Sequence, residues 1–285
     1  MAATSAFSRE KLFEIARTLP AAPRVLASLS ELLQDLNVGL DEVANLIKRD
    51  ASLSTRIIRI SNSVVYGGSG GVRIGAIDEA VNRVGFSEVY RLVGLVASDR
   101  LSERNLQFYG VGPQTMREHM LFSALAAEML AEECGLDPRH AYTAGLLRTI
   151  GMLVLDRVAE RLTGCEVYDH ARFGTYLAWE GVMFGVANTE VAGMVLTDWR
   201  FPPEIISAIR DHYLSSQSDY QNRFACLLNV SGRMVGDAGH ALPGDRKFWE
   251  FNARKDEVLG VTEEHIQRAT DRAHELFERL RTSLA

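Results

Sequence analysis

The chain has 285 residues, 47% of them hydrophobic and 24% charged, enough for the core of one large domain or two small ones. Its formal net charge is -6 and its sequence pI about 5.7, which disfavours nonspecific association with nucleic acid or an anionic membrane. No apolar run approaches the roughly 20 residues of a membrane-spanning helix, and residues 1–9 lack the basic-then-apolar pattern of a secretory leader.

Helical spacing runs through the chain from its start. Ser8 is placed to cap a helix with Leu12, Phe13, Ile15, Ala16 and Leu19 on one face, which Pro20 ends. Val25, Leu26, Leu29, Leu32, Leu33 and Leu36 then follow the three-four spacing of a buried stripe, closed by Asn37 and Gly39. Asp41 is read as the cap of the next segment, with Val43, Ala44, Leu46 and Ile47, and Asp50-Ala51-Ser52-Leu53 as a turn and restart into Ile57, Ile58 and Ile60. The glycine run Gly67-Gly68-Ser69-Gly70-Gly71 lacks the spacing and the leading strand of a phosphate loop and reads as a mobile connector. Helical signals resume at Asp78 and Ser87, and the polar stretch 104–113 marks a boundary. A helix rich in alanine, methionine and leucine is predicted from Gln114 to Cys134, ending at Gly135.

Asp137-Pro138, a capping carboxylate followed by proline at the first helical position, opens the stretch around which the chain is organised. It is read as a single helix to Asp156, small or apolar nearly throughout, with Arg148 and Thr149 alone inside the apolar run. Buried polar side chains need partners. Further helices are predicted over 176–185, from Asn188, from Glu204, over 221–236 and from Thr262. No period-two run bounded by turn residues occurs, so the fold class is all-α.

The frame Ala141-x-x-x-Gly145-Leu146-Leu147-x-x-Ile150-Gly151-x-Leu153-Val154-Leu155 resembles the HD superfamily of metal-dependent phosphohydrolases, whose members carry His-Asp just before Ile-Gly. Here that pair is Arg148-Thr149, and an intact frame without its chemistry resembles the HDOD family, the HD-related output domain of bacterial signalling. Further short matches stand in order: Leu19-Pro20 with Pro23, 38–44, Leu46-Ile47 with Asp50, Leu53 through Asn62-Ser63, and 77–81 with Val84-Gly85. Ala51 replaces the family's usual proline. The resemblance covers about residues 12–235 and implies an N-terminal helical subdomain (1–107) packed on a degenerate HD-like bundle (108–238), with extra C-terminal helices (239–285).

The resemblance also carries site positions. The first histidine of catalytic relatives falls on His119, the His-Asp pair on Arg148 and Thr149, a later histidine on Asn188, a His-His pair on His212-Tyr213, and the closing aspartate near Gly232. A metal needs lone pairs, whereas a guanidinium offers donors only and stays protonated. No catalytic residue, no metal ligand set and no cofactor are therefore expected.

Two readings of Arg148 stay open. It is solvated or paired with a carboxylate such as Glu118, Glu180 or Glu190, or it lines with His119 and His212 a vestigial pocket for an anion such as phosphate or a nucleotide. Cys134, Cys165 and Cys226, widely spaced with no C-x-x-C, are expected as buried thiols in a reducing cytoplasm. His140, in a first helical turn, is expected exposed. Phe248, Trp249 and Phe251 either pack the last segment onto the core or form a partner surface. The expected function is a non-enzymatic signalling module that binds a protein partner. The alternatives are a divergent phosphohydrolase acting on nucleotides or cyclic dinucleotides, a vestigial-pocket anion sensor, and a nucleic-acid binder, which the acidic balance opposes.

Overall fold

The structure is a computed structural model and describes residues 9–20, 22–32, 38–66 and 73–284. Ser8, Leu33, Leu36, Asn37 and the glycine run 67–71 lie outside the described residues. The fold is all-α. The helices are α1 (Arg9–Arg17), α2 (Ala22–Leu32), α3 (Leu40–Lys48), α4 (Ala51–Ser61), α5 (Ile77–Val84), α6 (Phe86–Leu101), α7 (Pro113–Cys134) and α8 (Pro138–Leu147). They continue with α9 (Ile150–Ala159), α10 (His170–Phe173), α11 (Tyr176–Met183), α12 (Asn188–Asp198), α13 (Pro203–Asp211), α14 (Arg223–Asp237), α15 (Ala253–Leu259) and α16 (Glu263–Leu284). Among the described residues the β-structure amounts to an isolated antiparallel bridge between Leu106 and Val111.

The chain divides into two compact units, one of the residues up to Leu19 with Leu101–Ala273, the other of Pro20–Arg100 with the chain from His274. In the second unit Leu26, Leu29, Val43, Ile47, Leu53, Ile57 and Ile60 are buried, the apolar stripe that the helical spacing describes. Asp50 caps α4 by accepting from the Leu53 amide at 2.9 Å, and its other oxygen accepts from Arg100 at 3.0 Å. Asp41 does not cap α3; Gly39 holds that position, and its amide donates to the Glu42 carboxylate at 3.0 Å. Asn62 ties the end of α4 to the loop before α5: its amide donates to the carbonyls of Ile58 and Ile74, and its oxygen accepts from the Ile74 amide at 2.8 Å.

In the first unit α7 ends where expected, on Gly135 in the left-handed conformation (φ 66°), which spares an L side chain that strain. Asp137 accepts from the amides of Arg139 and His140, and Pro138 occupies the first helical position of α8. The expected single helix from here to Asp156 is two helices. The chain breaks at Arg148-Thr149, where Thr149 (φ -94°, ψ 5°) leaves helical geometry. Close backbone approach explains the flanking glycines: a Cβ on Gly145 would overlap the backbone of Ser123 and Ala124 in α7, and one on Gly151 the Asn188 carbonyl at the start of α12. Asp156 of α9 accepts from the amides of Gln107 and Phe108, fastening the 106–111 turn to the bundle.

Candidate functional site

The break between α8 and α9 leaves Arg148 pointing into protein, with 2% of its surface exposed. A buried guanidinium is tolerated only among acceptors. His119 of α7 places its Nε2 2.7 Å from Arg148 Nη2, while its Nδ1 lies 2.7 Å from the His240 carbonyl oxygen. A carbonyl only accepts, so this partner assigns the proton to Nδ1 and leaves the Nε2 lone pair facing the guanidinium. His212, at the C-terminal end of α13, repeats the arrangement: Nδ1 donates to the Ile209 carbonyl at 2.6 Å and Nε2 faces Arg148 Nη1 at 3.5 Å.

The charge partner is Asp245, fully buried, whose Oδ2 lies 3.4 Å from Arg148 Nη1 and whose Oδ1 accepts from the Tyr213 hydroxyl at 2.9 Å. The Trp249 ring covers the guanidinium, its centroid 4.8 Å from Cζ, and stacks on both His212 and Tyr213. The indole fits because α14 carries Gly232 beneath it; a Cβ there would sit 2.7 Å from the ring.

Burial sets the charge states. His119 titrates well below its ordinary value, first through burial and then through the Arg148 charge. The same two causes push His212 down to about 3, so both rings are neutral at pH 7. Burial raises Asp245, with Arg148 and the Tyr213 hydroxyl opposing.

A second buried carboxylate lies on α11. Glu180 accepts from the Tyr109 hydroxyl at 2.7 Å, the Asn188 amide at 2.7 Å and the Asn188 side-chain amide at 2.9 Å. Burial lifts its pKa to about 7, and those donors hold it from rising further.

Of the residues singled out in the sequence, His119, Arg148 and His212 therefore converge. Asn188 and Thr149 are buried too, but Asn188 is held by Glu180, and the Thr149 hydroxyl turns to the Met116 sulfur at 3.8 Å. Glu118 faces His240 at 3.7 Å, and Glu190 is exposed, so none of the three glutamates named beforehand pairs with Arg148. Trp249 is a core residue and Phe248 packs on Tyr213, whereas Phe251 is 65% exposed beneath the Arg233 guanidinium. His140 is buried, not exposed, with Nδ1 3.3 Å from a Glu204 oxygen. Asp245, Tyr213 and Glu180 carry the electrostatics of the region; Asp245 had no role in the sequence reading, Tyr213 entered it only as a lost histidine position, and Glu180 only as a partner for Arg148, whereas it pairs with Tyr109 and Asn188. Gly232 and Gly244 were the available signals: each makes room for a ring, Trp249 and Tyr176 respectively. Among the described residues no three His, Cys, Asp or Glu side chains are grouped to share a metal ion.

An all-helical fold with a buried histidine–arginine–aspartate cluster at a broken helix defines the class, and the comparisons define the family. The HDOD domain pattern matches residues 19–215, more than half of the chain. The chain belongs to the HDOD domain family.

An uncharacterised protein of Treponema pallidum (strain Nichols) is 25% identical over 198 residues, 68% of this chain and 37% of that protein. A crystal structure of an HDOD domain protein of unknown function from Geobacter sulfurreducens superposes with a TM-score of 0.69 at 20% identity, over 96% of this chain and 97% of that one. A candidate signal transduction protein from Marinobacter aquaeolei VT8 gives 0.67 at 20% identity, over 96% of this chain and 64% of that one. A candidate phosphohydrolase from Shewanella amazonensis SB2B gives 0.61 at 20% identity, over 95% and 98%. The chain thus spans little more than a third of the Treponema protein and under two thirds of the Marinobacter one. At these identities the structures speak for the fold. Among the described residues no helix is long and apolar enough to cross a membrane.

Proposed function

We propose that this chain is a non-catalytic signalling module that acts by binding a protein partner. One observation carries the reading: the Arg148 guanidinium takes up the Nε2 lone pairs of His119 and His212, at 2.7 and 3.5 Å. The resemblance to metal-dependent relatives implies an ion at such histidines, and these residues do not fit one. An imidazole whose lone pair already accepts a hydrogen bond has none to give a metal. A fixed positive charge beside it repels a divalent ion, and Thr149, neutral and turned to Met116, supplies no bridging carboxylate. No hydrolytic step is derived from this site, and the degenerate-site reading follows from that chemistry.

A phosphate would have to displace both Asp245 and the Trp249 ring to reach the guanidinium, so the geometry does not favour an anion sensor. A helical scaffold without chemistry still offers surfaces, and membership of the HDOD family together with the signal-transduction description of the Marinobacter protein supports a signalling role. The three cysteines are free, Cys226 buried but Cys134 and Cys165 only part-buried, against the expectation that all three are buried; free thiols suit a reducing compartment, and we place the protein in the cytoplasm.

The test is hydrolysis of a panel of nucleotides and cyclic dinucleotides by the purified chain with manganese, iron or zinc supplied. No turnover is expected. Turnover that His119→Ala abolishes would overturn the reading.

A further inference from the structure

The short helical turn Arg246–Trp249 presents two faces. From one, Trp249 reaches inward to Arg148, as does Asp245 immediately before the turn. From the other, Arg246 and Lys247 project to solvent and, with His170, Ala241, Pro243 and Glu250, line a cleft of about 740 Å³. Among the described residues neither Arg246 nor Lys247 is ion-paired.

We propose that this cleft is the docking site for an acidic segment of a partner protein, one carrying an apolar side chain among its carboxylates. The proposal rests on the binding-module reading above and names its surface. Two exposed arginine and lysine side chains and a histidine face one carboxylate here, on a chain whose net charge is -6. That local reversal of sign steers and registers a negatively charged partner. Ala241 and Pro243 supply apolar wall for an anchor side chain.

The cleft is open to solvent, and small-molecule sites enclose most of their ligand, so an extended chain fits better than a free nucleotide. The wall is held by its inner face. The buried contacts of Asp245 and Trp249 fix the turn before any partner arrives, so little ordering entropy is lost on docking.

The experiment uses the whole chain and a fluorescein-labelled peptide of alternating glutamate and aspartate around a central leucine, read by anisotropy. Its controls are the same peptide with lysine for each acid, inorganic phosphate, and single-stranded DNA. Binding that weakens with salt, is absent for the lysine peptide, and falls about tenfold or more in Arg246→Glu/Lys247→Glu is expected. No binding, binding unchanged by the double reversal, or displacement of the peptide by phosphate or DNA at matched charge overturns the proposal. Because both substituted side chains are exposed, the variant's unchanged thermal midpoint verifies that it folds. The two readings fail separately. Nucleotide turnover would remove the binding-module reading and leave the peptide result standing. A native partner still captured by the double-reversal variant would remove the cleft alone.

Discussion

Replacing Arg148 with methionine isolates the charge buried between His119, His212 and Asp245. Methionine keeps the length and flexibility of the arginine stem, so the cavity contribution is small. What is lost is the cation. Asp245, fully buried, keeps the Tyr213 hydroxyl as partner but loses its counter-charge, and the two imidazole Nε2 atoms lose their donor. Breaking a buried ion pair from one side costs about 3–5 kcal/mol, a large part of the roughly 5–15 kcal/mol that holds a domain folded.

Arg148→Met/Asp245→Asn removes both charges while asparagine still accepts from Tyr213. The double variant should lose about 1–3 kcal/mol, for the unsatisfied histidine acceptors, and so be more stable than Arg148→Met alone.

The pH arm gives a sign. Without Arg148 the Asp245 pKa rises further above that of the unfolded chain, so its ionisation penalises the fold as pH rises. The deficit of Arg148→Met should therefore shrink between pH 7 and pH 5. Urea unfolding followed by helical circular dichroism measures all three quantities. A single variant within about 1 kcal/mol of the parent, or singles that add in the double variant, would refute the pairing.

Glu180→Gln should change the shape of the stability curve. A carboxylate raised by burial from 4.5 to about 7 contributes stability that is present below its unfolded pKa and lost as pH rises through 7, roughly 3 kcal/mol over that window. Glutamine should flatten this limb in thermal midpoints measured from pH 4 to 8, and an unchanged slope would contradict the assignment. Gly232→Ala drives a methyl into the Trp249 ring and should cost about 1–3 kcal/mol with a red-shifted tryptophan emission. Gly236→Ala in the same helix meets just the Ala241 methyl at 4.0 Å and should be neutral or stabilising by up to ~1 kcal/mol. Equal effects of the two would show that Trp249 does not lie over α14.

What the sequence made legible was local. The Asp137-Pro138 start, the Gly135 stop and the Asp50 restart each depend on one side chain or one backbone conformation and appear as read. The break at Arg148-Thr149 was hidden because α8 and α9 are buried almost all round, so the apolar pattern has no phase to lose. Periodicity also names a buried face without naming what covers it. The approach of His119, Arg148 and His212 came from motif order in a resembled family, and the acceptor of Arg148, Asp245, lies in a proline–glycine loop outside that resemblance. Helix α15 went unread: it is seven residues long with two buried side chains, too short to establish a stripe. His140 misled because a first-turn position is open on an isolated helix, whereas here Glu204, at the start of α13, lies against it.

The claim that a side-chain cation holds the two histidine lone pairs is most directly tested by imidazole nitrogen spectra of the 15N-labelled protein, recorded from pH 5 to 8 and with zinc added. His119 and His212 should remain neutral with the proton on Nδ1 across that range and stay unmoved by the metal. Titration of either ring near 6.5, or a zinc-induced shift of their Nε2 resonances, would contradict it.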